Sequence, residues 1–190
     1  IMFIKNEGLI STMMLPTEIF GVLDHLDLVL KSNIEGDIVE LGCNRGTTSL
    51  FIKKYLDLIK NNKTFHVYDS WEGLPKKTIN DESLAKRKYH QGACKSSRDI
   101  FINNFKKKNL ELPIIHSGWF KEIPDEEYPD KICFAFLDGD FYTSIMDSLN
   151  KIYHKMQIGG IIVIDDCGWN VLPGAEKACK DFLEDKEEVL

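Results

Sequence analysis

Two apolar runs that each end in acids set most of what this chain can become. Ile132 to Leu137 leads into Asp138-Gly139-Asp140, and Ile161 to Ile164 leads into Asp165-Asp166, with Asp165 lying 27 residues after Asp138. Both runs read as buried strands, and residues 144–156 between them have helical spacing. A strand, a crossover helix and a second strand make a right-handed parallel unit, so both strands end at the same edge of one sheet. That edge gathers carboxylates, which repel one another without a counter-charge, and the pattern therefore predicts a site for a hard divalent cation. Acids after strands are also ordinary loop residues and helix N-caps. Two acidic groups at matching strand ends favour the cation site.

The rest of the chain alternates in the same way. Ile19, Val22, Leu23, Leu26 and Leu30 mark an amphipathic helix over 16–31, Asp37 to Leu41 reads as the first strand, and helical spacing returns over 47–60. Strands are expected at 64–68 and 112–116, with helices at 98–108 and 174–183. Alternating strands and helices mean an α/β fold with a doubly wound, mostly parallel sheet. A chain of 190 residues suits one domain over 1–190, with an N-terminal helical extension over about 1–33. Residues 71–97 have no clear period, and a long irregular segment at that place predicts a lid or substrate surface.

The 24 basic and 30 acidic residues carry no electrostatic footprint for nucleic acid or an anionic membrane. The run Lys106-Lys107-Lys108 is read as charge at a helix C-terminus. No apolar run has the length to cross a bilayer, and Ile1-Met2-Phe3-Ile4-Lys5 lacks the features of a secretory signal, so the expected location is cytoplasmic. Five cysteines without paired short spacing predict reduced thiols, with neither a disulfide frame nor a zinc site. Starting on Ile1 and stopping just after Glu187-Glu188, the chain reads as a fragment of a longer one. The oligomeric state stays open, a homo-oligomer included.

After the first strand, Glu40-Leu41-Gly42-Cys43-Asn44-Arg45-Gly46 spaces its glycines as Gly-x-x-x-Gly. Dinucleotide binders use Gly-x-Gly-x-x-Gly to set a pyrophosphate on a helix N-terminus. A loop without that cradle suits a cofactor without phosphate, such as S-adenosylmethionine. The second strand runs into Asp69-Ser70, where a doubly wound fold places an acid for a ribose diol. Asp69 is equally a candidate cap for the next segment. The acid alone does not separate adenosylmethionine from NAD, so the glycine spacing and the carboxylates must decide.

Five blocks carry a family resemblance: Gly36-Asp37-Ile38-Val39-Glu40-Leu41-Gly42 with Arg45-Gly46; Asp69-Ser70-Trp71-Glu72-Gly73-Leu74-Pro75; Gly118-Trp119-Phe120-Lys121; Leu137-Asp138-Gly139-Asp140-Phe141-Tyr142-Thr143-Ser144; and Gly159-Gly160 leading to Ile164-Asp165-Asp166. In that order the chain resembles the macrocin O-methyltransferase family of class I, metal-dependent sugar O-methyltransferases. The resemblance implies a Rossmann-like sheet of seven strands closing with a hairpin of two further strands, which here are absent or only begun after Glu188. It implies a cation, Mg²⁺ or another hard divalent ion, on Asp138, Asp165 and Asp166, which leaves Asp140 as a helix N-terminal residue or a supporting partner. Cofactor contacts would be Glu40, Gly42, Gly46, Ser49, Asp69 and Ser70, with Ser117 or Trp119 near the adenine. The implied partner is a small-molecule sugar or glycoside whose vicinal hydroxyls replace metal-bound waters. Thr143 departs from the glutamate common at that position.

For the base that takes the hydroxyl proton, Asp138, Asp140, His90 and His116 are candidates, and Asp138 is favoured. His25, His66 and His154 are expected to be packed or surface residues, and Trp71 and Trp119 also have a reading as packing against the sheet. The expected activity is methyl transfer from adenosylmethionine to a sugar hydroxyl of a glycosylated natural product or surface glycan. An NAD-dependent oxidoreductase of similar topology is disfavoured by the glycine spacing and by the lack of a Tyr-x-x-x-Lys pair after the fourth strand. A non-catalytic adenosylmethionine-binding domain is disfavoured by the intact acids.

Overall fold

A computed structural model describes residues 8–83 and 89–188. Its first helix, α1 (Pro16–Lys31), buries Ile19, Val22, Leu23, Leu26, Val29 and Leu30, the stripe that the sequence spacing marks. Pro16 opens it, with a ring-fixed φ and no N–H to leave unpaired. The strands β1 (Asp37–Leu41), β2 (Phe65–Asp69), β3 (Ile114–Ser117), β4 (Ile132–Leu137) and β5 (Met156–Ile164) form one sheet in the order β3-β2-β1-β4-β5. Every neighbouring pair is parallel. The remaining helices are α2 (Thr47–Leu58), α3 (Arg98–Lys107), α4 (Tyr142–Ile152) and α5 (Pro173–Leu183).

Alternation along the strands sends side chains to two separate cores. Ile38, Phe65, Val67, Phe134 and Phe136 pack with α1, α2 and α3 on one face. Val39, Leu41, Tyr68, Ala135 and Leu137 pack with α4 and α5 on the other. A sheet covered on both faces explains why β4 is fully buried along its length. The chain winds outward from β1 through β2 to β3, then returns to β4 and β5, so the order reverses between β1 and β4. Loops leave that switch point in opposite directions and open a crevice beyond the strand ends.

The doubly wound parallel sheet matches the sequence reading, with two shifts. The helix expected at 144–156 spans Tyr142–Ile152, is followed by a 3₁₀ turn at Tyr153–Lys155, and Met156 already belongs to β5. Met156 fits the apolar period of the preceding helix, which hides the change of state. β5 pairs with β4 at Met156 and again from Ile161, with the register shifting between. The sheet of the described residues has five strands, without the additional hairpin that the resemblance implies. No helix among the described residues is long and apolar enough to cross a membrane. Cys43, Cys133 and Cys179 are buried thiols, and Cys167 is an exposed one.

Candidate functional site

The crevice at the switch point is built from the loops that follow β1, β2, β4 and β5. Asp69, at the end of β2, ties two of them together. Its Oδ2 accepts the N–H groups of Cys43 (3.0 Å) and Asn44 (2.8 Å). Its Oδ1 accepts the N–H of Trp71 at 2.7 Å. Burial pushes this carboxyl up while the three amides pull it down. Of the two roles the sequence leaves open for Asp69, capping is therefore directly visible. Ser70 accepts the N–H of Glu72 through its hydroxyl.

Around these loops lies a narrow pocket of about 70 Å³, lined by Gly42, Asn44, Asp69, Ser70, Trp119 and Phe120 among others. Asn44 donates its amide to the Cys94 carbonyl, while its buried Oδ1 has no partner. Among the described residues lining the pocket there is no lysine, arginine or histidine. Of the cofactor contacts expected from sequence, Gly42, Asp69, Ser70 and Trp119 face this pocket. Glu40, Gly46, Ser49 and Ser117 do not line it. Glu40 is 1% exposed with an unpartnered Oε2, and burial pushes its carboxyl up to about 8, against the pull of Ser49 and with Asp69 adding to the rise. Gly46 starts α2 at φ 85°, and a Cβ there would stand 2.8 Å from the Phe101 ring. Ser117 accepts the indole N–H of Trp71.

Next to the pocket is a larger cavity of about 820 Å³ that contains the acids. Asp138 and Asp140 follow β4, Asp165 and Asp166 follow β5, and Glu18 approaches from α1. Asp138, Asp140 and Asp166 each offer an oxygen, and these three oxygens lie within 4.8 Å of one another. This compact triad includes Asp140, where the resemblance implies Asp165. Burial, then Asp165, Asp140, Asp166 and Glu40 in that order, hold the Asp138 carboxyl well above the usual carboxylate range. Asp140, Asp165 and Asp166 are each raised to about 7, in every case by burial first and a neighbouring carboxylate second. Such a cluster keeps protons or takes up a cation, because several adjacent charges out of water cannot stand unopposed.

Met13, Cys94, Asp138 and Asp140 line both spaces, so they form the wall between them. On the far side of the acids, Tyr89 and Trp169 meet edge to face with centroids 6.2 Å apart. The irregular segment 71–97 supplies Gly73, Leu74 and Pro75 to the pocket and Tyr89 to the cavity, while 84–88 lie outside the described residues. Sequence reading missed Met13, Glu18 and Asn44 as lining residues, whereas Cys167-Gly168-Trp169, read from sequence as a loop bordering the substrate, does line the cavity. Glu18 has the appearance of a first-turn helix acid, and nothing local shows that α1 leads it to the acids. Among the histidines, His116 is taken up by Glu127 and His66, and His90 bonds the carbonyl of Gln91. Neither lines the two spaces.

Known proteins resemble this chain in sequence and fold. The chain is 27% identical over 164 residues to demethyldecarbamoylnovobiocin O-methyltransferase of Streptomyces niveus, covering 83% of this chain and 60% of that relative. It is 27% identical over 166 residues to 8-demethyl-8-(2,3-dimethoxy-alpha-L-rhamnosyl)-tetracenomycin-C 4'-O-methyltransferase of Streptomyces olivaceus, covering 84% and 61%. The chain thus spans about 60% of the length of these curated relatives. The solved structure of the O-methyltransferase NovP superposes with a TM-score of 0.78 at 25% identity, over 90% of this chain and 74% of that one. A profile of the macrocin-O-methyltransferase (TylF) family matches residues 10–188, and the chain belongs to that family.

Proposed function

We propose that the protein is an S-adenosylmethionine-dependent O-methyltransferase that acts on a sugar hydroxyl of a glycosylated natural product or surface glycan, with Mg²⁺ or another hard divalent cation at its acids. One observation carries the reading: a pocket without basic groups among its described lining residues shares a carboxylate wall with a second, acid-lined cavity. A donor and an acceptor placed on the two sides of that wall would meet at Asp138 and Asp140. The lining fits the cofactor. Among its described residues it holds no basic group to repel a sulfonium, and its unpartnered Asn44 Oδ1 and nearby carboxylates suit a ligand rich in donors with a positive sulfonium. A sugar acceptor is supported by the rhamnosyl group in one relative's name.

The acids fit a hard cation, since every group is an oxygen donor and their raised carboxyls show what an opposing charge would relieve. Asp138 and Asp166 would hold it, with Asp165 or Asp140 completing the set. A bound cofactor supplies an activated methyl, and a bound divalent ion supplies Lewis acidity at the hydroxyl. Asp138 then accepts the hydroxyl proton on a carboxylate oxygen, and Asp69 keeps the loops after β1 and β2 together beside the cofactor. Gly42, Ser70 and Trp119 shape the pocket, with Glu40, Gly46, Ser49 and Ser117 behind it.

Calorimetry with adenosylhomocysteine should show binding, and a mass-spectrometric assay with a glycoside panel should show transfer that EDTA abolishes. Tight NAD binding with none to adenosylhomocysteine would sink the proposal. Asp138→Asn should lower turnover by about 10²- to 10⁴-fold. Unchanged turnover in that variant would remove Asp138 from the chemistry.

A further inference from the structure

We propose that Asp81 is a positioning residue whose buried carboxylate registers the two acid-bearing turns, 138–140 and 165–166, against each other. Asp81 closes the 3₁₀ turn Ile79–Asp81 and is 2% exposed. Its Oδ2 accepts both the N–H and the hydroxyl of Thr78, each at 2.7 Å. Its Oδ1 accepts the N–H of Tyr142 at 2.7 Å, across 61 residues of chain. Tyr142 is the first residue of α4, so one of the N–H groups left unpaired at that helix start is capped by a distant loop. Gly174, in the first turn of α5, closes over the same bond: a Cβ there would land on Asp81 Oδ1 and 2.7 Å from Tyr142 N. One carboxylate therefore joins the irregular loop, the start of α4 and the start of α5.

An apolar contact repeats this three-way junction. Leu74 of the loop, Phe141 before α4 and Leu172 before α5 form a small buried cluster apart from the two main cores. The acid triad straddles the same junction, with Asp138 and Asp140 from the turn before α4 and Asp166 from the turn before α5. Asp140 and Asp166 both have φ 58°, a left-handed backbone that costs a non-glycine residue about 1 kcal/mol and persists only where surroundings enforce it. A shift of α4 relative to α5 would change the spacing of the triad, and Asp81 bonds the start of α4 while the start of α5 packs directly against that bond. Asp81 lines neither cavity, so it acts through the acids.

The test compares the full chain with Asp81→Ala, Asp81→Asn and Thr78→Ala by three readouts: amide hydrogen exchange, Mn²⁺ binding by electron paramagnetic resonance, and adenosylhomocysteine binding by calorimetry. In Asp81→Ala, exchange in 139–142 and 167–172 should accelerate together. Mn²⁺ affinity should fall by about 10-fold or more while adenosylhomocysteine affinity changes less than about 3-fold. Asp81→Asn keeps an oxygen for the Tyr142 N–H but turns an amide NH₂ toward the Thr78 N–H, so it should restore only part of the loss. Thr78→Ala, which leaves Asp81 in place, should loosen both turns in the same direction by less, and decides the matter if Asp81→Ala does not fold. Unchanged exchange in 167–172, or an asparagine variant as impaired as the alanine one, overturns the role of Asp81. Mn²⁺ binding to the unsubstituted chain tests the cation reading separately, and the exchange readout judges Asp81 whichever way that result falls.

Discussion

Gly42 has a packing reason beside the one its sequence suggests. The sequence suggests a glycine that lets a ligand come close, yet a Cβ at Gly42 would land on the backbone oxygen of Asp138, and its φ is 94°. Here the glycine lets the loop after β1 approach the end of β4. Gly42→Ala should therefore destabilise the fold by about 2 kcal/mol or more, read as a lower urea midpoint with an unchanged slope. A midpoint equal to that of the parent would show that the loops can separate freely. Asp69 makes a similar point. Its position at a strand end is legible, but its amide donors come partly from 25 and 26 residues away, and no local pattern encodes them. Asp69→Asn leaves fewer acceptors for those donors and should cost about 1–3 kcal/mol, together with weaker adenosylhomocysteine binding in calorimetry.

At the scale of elements, β2 and β3 hold a polar chain that the sequence does not announce. His116 Nδ1 lies 2.9 Å from Glu127 Oε2, and its Nε2 lies 3.1 Å from His66 Nδ1. Glu127 as a carboxylate only accepts, so His116 donates to it, His66 donates to His116, and His66 Nε2 is left without a hydrogen-bond partner, 3.5 Å from Asp37 Oδ2. Burial lowers the His66 pKa, with Asp37 opposing and His116 adding to the fall. The folded chain thus resists a proton that the unfolded chain takes near pH 6.5. Its contribution to stability is complete above that pH and is lost as pH falls toward the lower folded value. The urea midpoint of His66→Phe should depend less on pH below about 6.5 than that of the parent; an identical dependence would place the titration elsewhere. Residue patterns located β1 to β4 within about two positions because apolar period survives burial on both faces. They missed the β5 start because Met156 fits two periods, and they missed the histidine chain because its members are 50 and 11 residues apart.

For the whole molecule, the four crowded carboxylates set an opposite pH dependence. Burial and neighbouring carboxylates push Asp140, Asp165 and Asp166 each up to about 7 in the fold, far above the usual carboxylate range. Raised acids stabilise the fold below their unfolded pKa, and that stabilisation is lost as pH rises through about 7. A divalent cation competes with those protons, so MgCl₂ should raise the melting temperature more at about pH 8 than at about pH 5.5. Equal shifts at both pH values would argue against binding at these acids. The acids themselves were legible because each closes an apolar strand. Which three converge was not, since Asp140 turns toward Asp166 only through backbone at φ 58° in both.

The strand order has a consequence for how the chain reaches this state. β1 sits in the middle, and its partner β4 joins Ile38 to Phe134 and Leu41 to Leu137, closing a long loop. Parallel pairings of that separation carry a large chain-closure cost and form late. The wall between the two cavities lies just beyond that pairing, so it is assembled only when the slowest contacts of the fold are made. Ligands that bridge the wall would then act as kinetic locks, lengthening the lifetime of the native chain by holding shut the seam that took longest to close.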